Sequence, residues 1–192
     1  MIRTALAAAL ALGTPLAFAP AAFAQDACAV EGDHWDLDAA GVDALYECME
    51  ARMLEGYTKE GDEIAAVYRD WAPTATRMAV AGPHGERFLN TFVNETGAEQ
   101  YLAFEQGEFE MPVGSILAKE SVAVREGTAR VGPLFFMTKV DDAPDYDNWL
   151  YAGVQPNGKP LRISQDFCHD CHGAFEDQDS MGYPLEEVRV SN

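Results

Sequence analysis

Two cysteines and a histidine near the end of the chain form the pattern that most strongly suggests chemistry. Residues 168–172 read Cys-His-Asp-Cys-His, which is the C-x-x-C-H sequence that attaches haem c. Two thiols three positions apart can form thioethers to the vinyl groups on one porphyrin edge, and the following histidine can bind the iron. The motif therefore predicts one covalently bound haem c (iron), with Cys168 and Cys171 as attachment residues and His172 as the metal ligand.

Two other interpretations of a C-x-x-C pair fit this sequence less well. A dithiol redox pair would not need His172, and a closed zinc site would need two more ligands, although the chain has no second C-x-x-C. His169 lies inside the motif at the wrong position for the axial ligand, and we interpret it as a solvent-facing residue. Met137 and Met181 are available as a second axial ligand, but ordinary packing roles explain them more simply.

The N-terminus predicts export. Arg3 is the only charged residue before Gln25, residues 6–12 are apolar, and Ala22-Phe23-Ala24 has the small-x-small form of a cleavage site. The apolar run is too short for a membrane span, so residues 1–24 are predicted to be a signal peptide. Residues 25–192 would then form a single haem domain, with the periplasm as its location because haem c is attached after export.

The two remaining cysteines are expected to form a disulfide in that oxidising compartment. A Cys28–Cys48 bridge would tie the start of the mature chain to the first predicted helix. By the loop-entropy estimate it would stabilise the fold by about 3 kcal/mol. Two separate thiols are the alternative.

Charge and composition exclude some classes of partner. Without residues 1–24 the chain loses one basic residue, Arg3, and keeps 12 basic and 32 acidic residues, so its net charge is −20. This disfavours nucleic acid and anionic membrane surfaces as partners, and it permits a basic electron-transfer partner. With 48% hydrophobic residues, one ordinary core is feasible.

Hydrophobic periodicity and turn residues predict two helices, followed by strands and one further short helix. The predicted helices cover residues 41–55, 61–71 and 97–106, and the predicted strands cover residues 88–94, 113–125, 131–140 and 149–154. Gly127 is placed in the turn of a hairpin between the second and third strands. Because the haem motif comes last, this order disfavours the small all-helical cytochromes.

Several segments in this order resemble the cytochrome P-460 family, over residues 83–175. They are HGERFLNTFVN (84–94), the helix around Tyr101, MPVGSILAKES (111–121), GPLFFMTK (132–139), NWLY (148–151) and FCHDCH (167–172). The resemblance implies an α+β fold, in which an antiparallel sheet with N-terminal and flanking helices packs over the haem near the C-terminus. It also implies a homodimer and five-coordinate iron, with His172 proximal and the other face open.

The resemblance further implies a haem oxidoreductase. The better-known family members oxidise hydroxylamine to nitrous oxide and pass electrons to a cytochrome acceptor. Their haem carries a covalent bond from a lysine to a porphyrin meso carbon, and the matching residue here is Lys119. Related cytochromes c′-beta share the fold, lack that lysine and bind nitric oxide beneath an aromatic cap. Phe135 and Phe136 are candidates for such an apolar wall, and a core role suits them equally.

Lys119 can also be interpreted from its own surroundings in the sequence. On strand parity it shares a face with Leu117 and Ser121, within a strongly apolar stretch. Lysines are rarely buried without a reason. Either its amine reaches the haem edge, as a catalytic and cofactor-binding residue, or it lies on a solvent face beside a carboxylate.

Candidate proton-relay residues are harder to place. Glu120 and Arg87 are near the predicted strands, although a surface position is the simpler interpretation for both. His84 is interpreted as structural, and Trp149 and Tyr151 as core residues.

Overall fold

The computed structural model describes residues 28–191, so the predicted signal peptide lies outside the described range. Four α-helices and seven strands form within it. The helices are α1 (Ala39–Thr58), α2 (Glu63–Val67), α3 (Glu95–Leu102) and α4 (Gln165–His172). The strands are β1 (Ala72–Pro73), β2 (Ala79–Ala81), β3 (Arg87–Val93), β4 (Ile116–Arg125), β5 (Thr128–Val131), β6 (Leu134–Lys139) and β7 (Trp149–Val154). Within the described range, no helix is both long enough and apolar enough to cross a membrane.

All seven strands belong to one antiparallel sheet, which confirms the predicted α+β class. The main path runs β1-β3-β4-β6-β7, while β2 adds to β3 and β5 adds to β4. The predicted hairpin across Gly127 is correct in its turn, where Gly127 has a φ of 70°. Its second arm differs from the prediction, because the short β5 pairs with the end of β4 and β6 pairs with the beginning of β4.

Helix boundaries follow capping side chains that periodicity did not resolve. The Asp38 carboxylate accepts a hydrogen bond from Gly41 N, so α1 begins earlier than predicted. Asn94 caps α3 in the same way, at Gly97 N. The predicted second helix divides into α2 and a 3₁₀ turn over residues 68–70.

The predicted Cys28–Cys48 disulfide is present. It joins the start of the described chain to α1 across 20 residues of sequence. Ala29, the residue after Cys28, pairs with Thr128 at the end of the sheet. The N-terminal segment is therefore fixed to both α1 and β5.

Alternating residues of β4 face two separate hydrophobic cores. Ala118, Val122 and Val124 pack into a first core together with α1 and α2. Leu117, one residue before Ala118, packs into a second core with Trp149 and other residues of the C-terminal half. The predicted parity of β4 is therefore correct, and both of its faces are covered by protein.

Candidate haem site

A cavity lies on the face of the sheet that carries the second core. It is mostly apolar and partly open to solvent. Its lining comes from β4, β6, β7, α4 and the 3₁₀ turn over residues 82–84. The lining residues are His84, Leu117, Lys119, Phe135, Phe136, Met137, Tyr151, Ala152, Ile163, Cys168, His172 and Gly182. The cavity therefore brings together the end of the C-x-x-C-H motif and the predicted lysine.

Helix α4 presents the haem motif along the edge of this cavity. The Ser164 hydroxyl caps the helix by accepting from Phe167 N at 3.2 Å. The Gln165 side chain fixes it to β7, because its oxygen accepts from Tyr151 N and its amide donates to Tyr151 O, both at 2.7 Å. Cys168 and Cys171 are free thiols three positions apart, so they lie on neighbouring turns of one helix face.

The His172 imidazole is oriented for a ligand at its far nitrogen. Its Nδ1 lies 3.0 Å from the carbonyl oxygen of Ser180. A carbonyl can only accept, so Nδ1 donates and Nε2 keeps a free lone pair, which is the usual arrangement of a metal-binding histidine. Burial, with a smaller contribution from Lys119, lowers the pKa of His172 to about 4. The neutral, ligand-competent imidazole is therefore favoured.

Lys119 lies on the cavity side of β4, directly across from Phe135 of β6. No carboxylate within residues 28–191 forms an ion pair with its amine, so the solvent-face interpretation with a carboxylate partner is wrong. Burial lowers the pKa of Lys119 to about 8. A much larger share of this amine is unprotonated at neutral pH than for an ordinary lysine, and an unprotonated amine is a nucleophile.

His84 is a cavity residue that the sequence interpretation placed in a purely structural role. Its ring lies 5.1 Å from that of Phe135 and 6.2 Å from that of His172, measured between centroids. Burial, followed by the charge of Lys119, lowers the pKa of His84 to about 3. The Gly82-Pro83 turn before it was the only local signal, because the contact with α4 joins segments far apart in sequence.

His169 is not the solvent-facing residue that we predicted. Its side chain is 21% exposed, with Nε2 3.7 Å from the Asp147 carboxylate. Its Nδ1 lies 3.2 Å from the hydroxyl of Tyr151. Tyr151 is buried as predicted, but it also lines the cavity.

The two candidate relay charges lie away from this cavity. Glu120 is fully buried on the opposite face of β4, so its predicted surface position is wrong. Tyr68 O–H donates to its Oε2 at 2.7 Å, and Arg69 Nη2 donates to the same oxygen at 2.9 Å. Arg87 is half-buried and donates from Nη1 to the carbonyl oxygen of His84. Glu120 therefore belongs to a separate polar cluster, while Arg87 supports the turn that carries His84.

The remaining candidates divide between the cavity and the cores. Phe135 and Met137 line the cavity, and Met137 also packs into the second core. Phe136 is buried in the first core and also contributes to the cavity lining, so both of its predicted positions apply. Trp149 and Met181 are fully buried in the second core.

These residues fit a covalently attached haem. One helix carries two free thiols and a histidine whose Nε2 is available, and the adjoining cavity is mostly apolar. An apolar surround limits solvent access to a haem, and a hydrogen bond to the axial histidine tunes its iron. The site has the donor set of a c-type cytochrome.

The comparison with known families agrees with this class. The Cytochrome P460 family matches residues 65–181, which is more than half of the chain and includes the sheet, α4 and every cavity-lining residue except Gly182. The chain belongs to the Cytochrome P460 family, and it is accordingly a c-type cytochrome with covalently bound haem and iron. No curated protein matches the chain.

Proposed function

We propose that this protein is a periplasmic oxidoreductase that oxidises hydroxylamine to nitrous oxide and passes the electrons to a cytochrome acceptor. The observation that carries the proposal is Lys119, an amine without a described carboxylate partner in the same cavity as Cys168 and His172. Such a lysine distinguishes the oxidising members of the family from their gas-binding relatives. The predicted homodimer belongs to the same proposal.

Each site residue has a separate task in this proposal. Cys168 and Cys171 would hold the porphyrin by thioethers, and His172 would bind the iron through Nε2 while Nδ1 stays on the Ser180 carbonyl. Lys119 would hold the porphyrin at a third point, through its amine at a meso carbon. When bound, the haem supplies a redox-active iron with one open coordination position.

The cavity walls control what reaches that position. Leu117, Phe135 and Met137 make the lining largely apolar, which limits the entry of water and anions. Hydroxylamine is small and neutral near pH 7, so it can enter such a cavity. His84 is held neutral by its surroundings, so its imidazole can exchange a hydrogen bond with a bound substrate without adding a charge to the cavity.

Steady-state turnover with an artificial electron acceptor tests the proposal. The wild-type holoprotein should oxidise hydroxylamine, and Lys119→Met should lose this turnover while keeping its haem, because only the meso bond is removed. Lys159→Met is the matched control, since Lys159 is exposed and does not line the cavity. Equal turnover in wild type and Lys119→Met would contradict the proposal.

Nitric oxide binding is the second candidate, and Phe135 is the observation that favours it. Its ring lines the cavity beside His84, in the manner of an aromatic cap over a gas-binding position. In that case Lys119 would be a half-buried bystander and the protein would bind or detoxify nitric oxide without oxidase activity. Tight nitric oxide binding by a wild type that has no hydroxylamine turnover would favour this second candidate.

A six-coordinate electron carrier is the third possibility raised by the sequence. Met181 is a poor second ligand, because it is fully buried among the aromatic residues of the second core. Met137 lines the cavity and is the better placed of the two. Rapid binding of an added diatomic gas to the ferrous protein would count against this possibility.

A further inference from the structure

Two tight turns with unusual backbone conformations lie next to each other beside the haem motif. Asp147 and Asn148 have φ values of 50° and 60°, and Asp179 and Ser180 have φ values of 47° and 57°. Residues other than glycine adopt this left-handed region uncommonly, and Asp and Asn are the most frequent of them. The surrounding structure must therefore hold both turns in place.

Lys139 joins the two turns. It is the last residue of β6, and only 4% of its surface is exposed. Its Nζ donates to the two carboxylate oxygens of Asp179 at 2.7 and 2.8 Å and to the carbonyl oxygen of Asp147 at 2.9 Å. One ammonium group thus uses its three donors on two turns that are 32 residues apart in sequence.

Other bonds fix the second turn more firmly. The Asp179 carboxylate also accepts from Met111 N at 2.8 Å, and the Asp179 carbonyl accepts from Trp149 Nε1 at 2.7 Å. The Ser180 hydroxyl donates to the Asp147 carboxylate. Ser180 is therefore held through its own side chain and through the residue before it.

The turn at Asp179 and Ser180 contacts the imidazole of His172, the histidine of the haem motif. The Ser180 carbonyl accepts the hydrogen bond from His172 Nδ1. The direction of that carbonyl depends on the backbone angles of Asp179 and Ser180, which the Lys139 contacts maintain. A hydrogen bond at Nδ1 orients a ligating imidazole and increases its basicity.

We propose that the buried Lys139–Asp179 ion pair is a positioning device for His172, which keeps the Ser180 carbonyl aligned with Nδ1 and thereby lowers the reduction potential of the haem. The inference rests on the proposed role of His172 as axial ligand. Lys139 and Asp179 act through Ser180 and are positioning residues. A more basic imidazole donates more charge to the iron and favours its ferric form, which is why the potential falls.

The test compares two buried ion pairs on opposite faces of the sheet. Lys139→Met removes the proposed device, whereas Arg69→Met removes the Arg69–Glu120 pair, which lies in the first core. Both holoproteins are titrated for reduction potential, and the iron–histidine stretching band of the ferrous form is recorded by resonance Raman spectroscopy. Lys139→Met should shift the potential to more positive values and the band to lower frequency, and Arg69→Met should leave both unchanged.

If Lys139→Met folds poorly, Asp179→Asn provides a milder test of the same ion pair. Asp179→Asn preserves the size of the side chain and an oxygen for Met111 N, but it removes the charge that holds Lys139. It should shift both readouts in the same direction by a smaller amount. The positioning role would be overturned if folded Asp179→Asn kept the reduction potential and the stretching band of the wild type. It would also be overturned if Arg69→Met shifted both by the same amount as Lys139→Met. In either case the assignment of His172 as axial ligand would stand.

A third variant separates the inference from the site assignment beneath it. The stretching band should disappear in His172→Ala. A band that persists in His172→Ala would overturn the assignment of the axial ligand and the inference with it. A band that disappears there but is unchanged in the two ion-pair variants would leave the site assignment standing and reject the positioning role.

Discussion

Lys119 and Glu120 are neighbours on β4, but their side chains lie in opposite environments. Glu120 points into the first core, where Tyr68, Arg69 and Asn90 all donate hydrogen bonds to its carboxylate. Lys119 points into the cavity, where burial lowers its pKa and no described carboxylate balances its charge. We infer that Glu120, whose charge is fully hydrogen-bonded, stabilises the fold, and that Lys119, whose charge has no described partner, is available for chemistry.

The largest expected effect on stability comes from breaking the Arg69–Glu120 ion pair. Arg69→Met would leave the fully buried Glu120 carboxylate without its countercharge, and removing one partner of a buried pair costs about 3–5 kcal/mol. Urea unfolding of the holoprotein measures this loss. Arg130→Met is the control, because Arg130 is exposed on β5, and it should change the free energy of unfolding by no more than about 0.5 kcal/mol.

A smaller effect should follow from Tyr68→Phe. The variant removes one hydroxyl that donates to Glu120 at 2.7 Å and leaves the aromatic packing against Phe92 in place. Hydrogen bonds to charged groups contribute about 1.5–3 kcal/mol, so the stability loss should fall below that of Arg69→Met. A loss equal to or larger than that of Arg69→Met would mean that Tyr68, rather than the ion pair, is the main support of Glu120.

The third effect concerns Lys119 and depends on pH. In the haem-free Cys168→Ala/Cys171→Ala protein, the folded-state pKa of Lys119 is about 8, below the unfolded value of 10.5. Between these values the unfolded chain binds the extra proton, so the stability of this protein relative to a Lys119→Met version should rise with pH. Below pH 8 both states are protonated and the difference should be constant.

Unfolding curves at pH 7, 8, 9 and 10 measure this difference. Lys159→Met in the same background is the control, since an exposed lysine should show no such dependence. A pH-independent difference between the haem-free protein and its Lys119→Met version would mean that the Lys119 amine is solvated in the folded chain. The contrast with Glu120 would then be lost.

Local patterns were sufficient to predict part of this arrangement. The C-x-x-C-H motif and the main strands were predicted from short segments, because spacing and alternation are local properties. The Cys28–Cys48 bridge followed from the predicted oxidising compartment, and the antiparallel sheet followed from the family resemblance. The parity of β4 correctly placed Lys119 and Glu120 on opposite faces. Parity alone did not show that both faces are covered, and for that reason Glu120 was interpreted as a surface charge.

The missed residues depend on contacts between distant segments. His84 reaches His172 across 88 residues of sequence, and Lys139 reaches Asp179 across 40. Neither pair has a fixed spacing that would mark it in the sequence. Such contacts are determined by strand order and by the path of the C-terminal turns, which only the folded chain specifies.

The absorption spectrum of the matured protein tests the central claim most directly. Wild type and Lys119→Met would be recorded in the ferric form and again after reduction. The account predicts a wild-type ferrous Soret band far to the red of an ordinary c-type haem, and an ordinary position in Lys119→Met. An ordinary high-spin spectrum in both proteins would contradict the account, because it would show that Lys119 forms no bond to the haem.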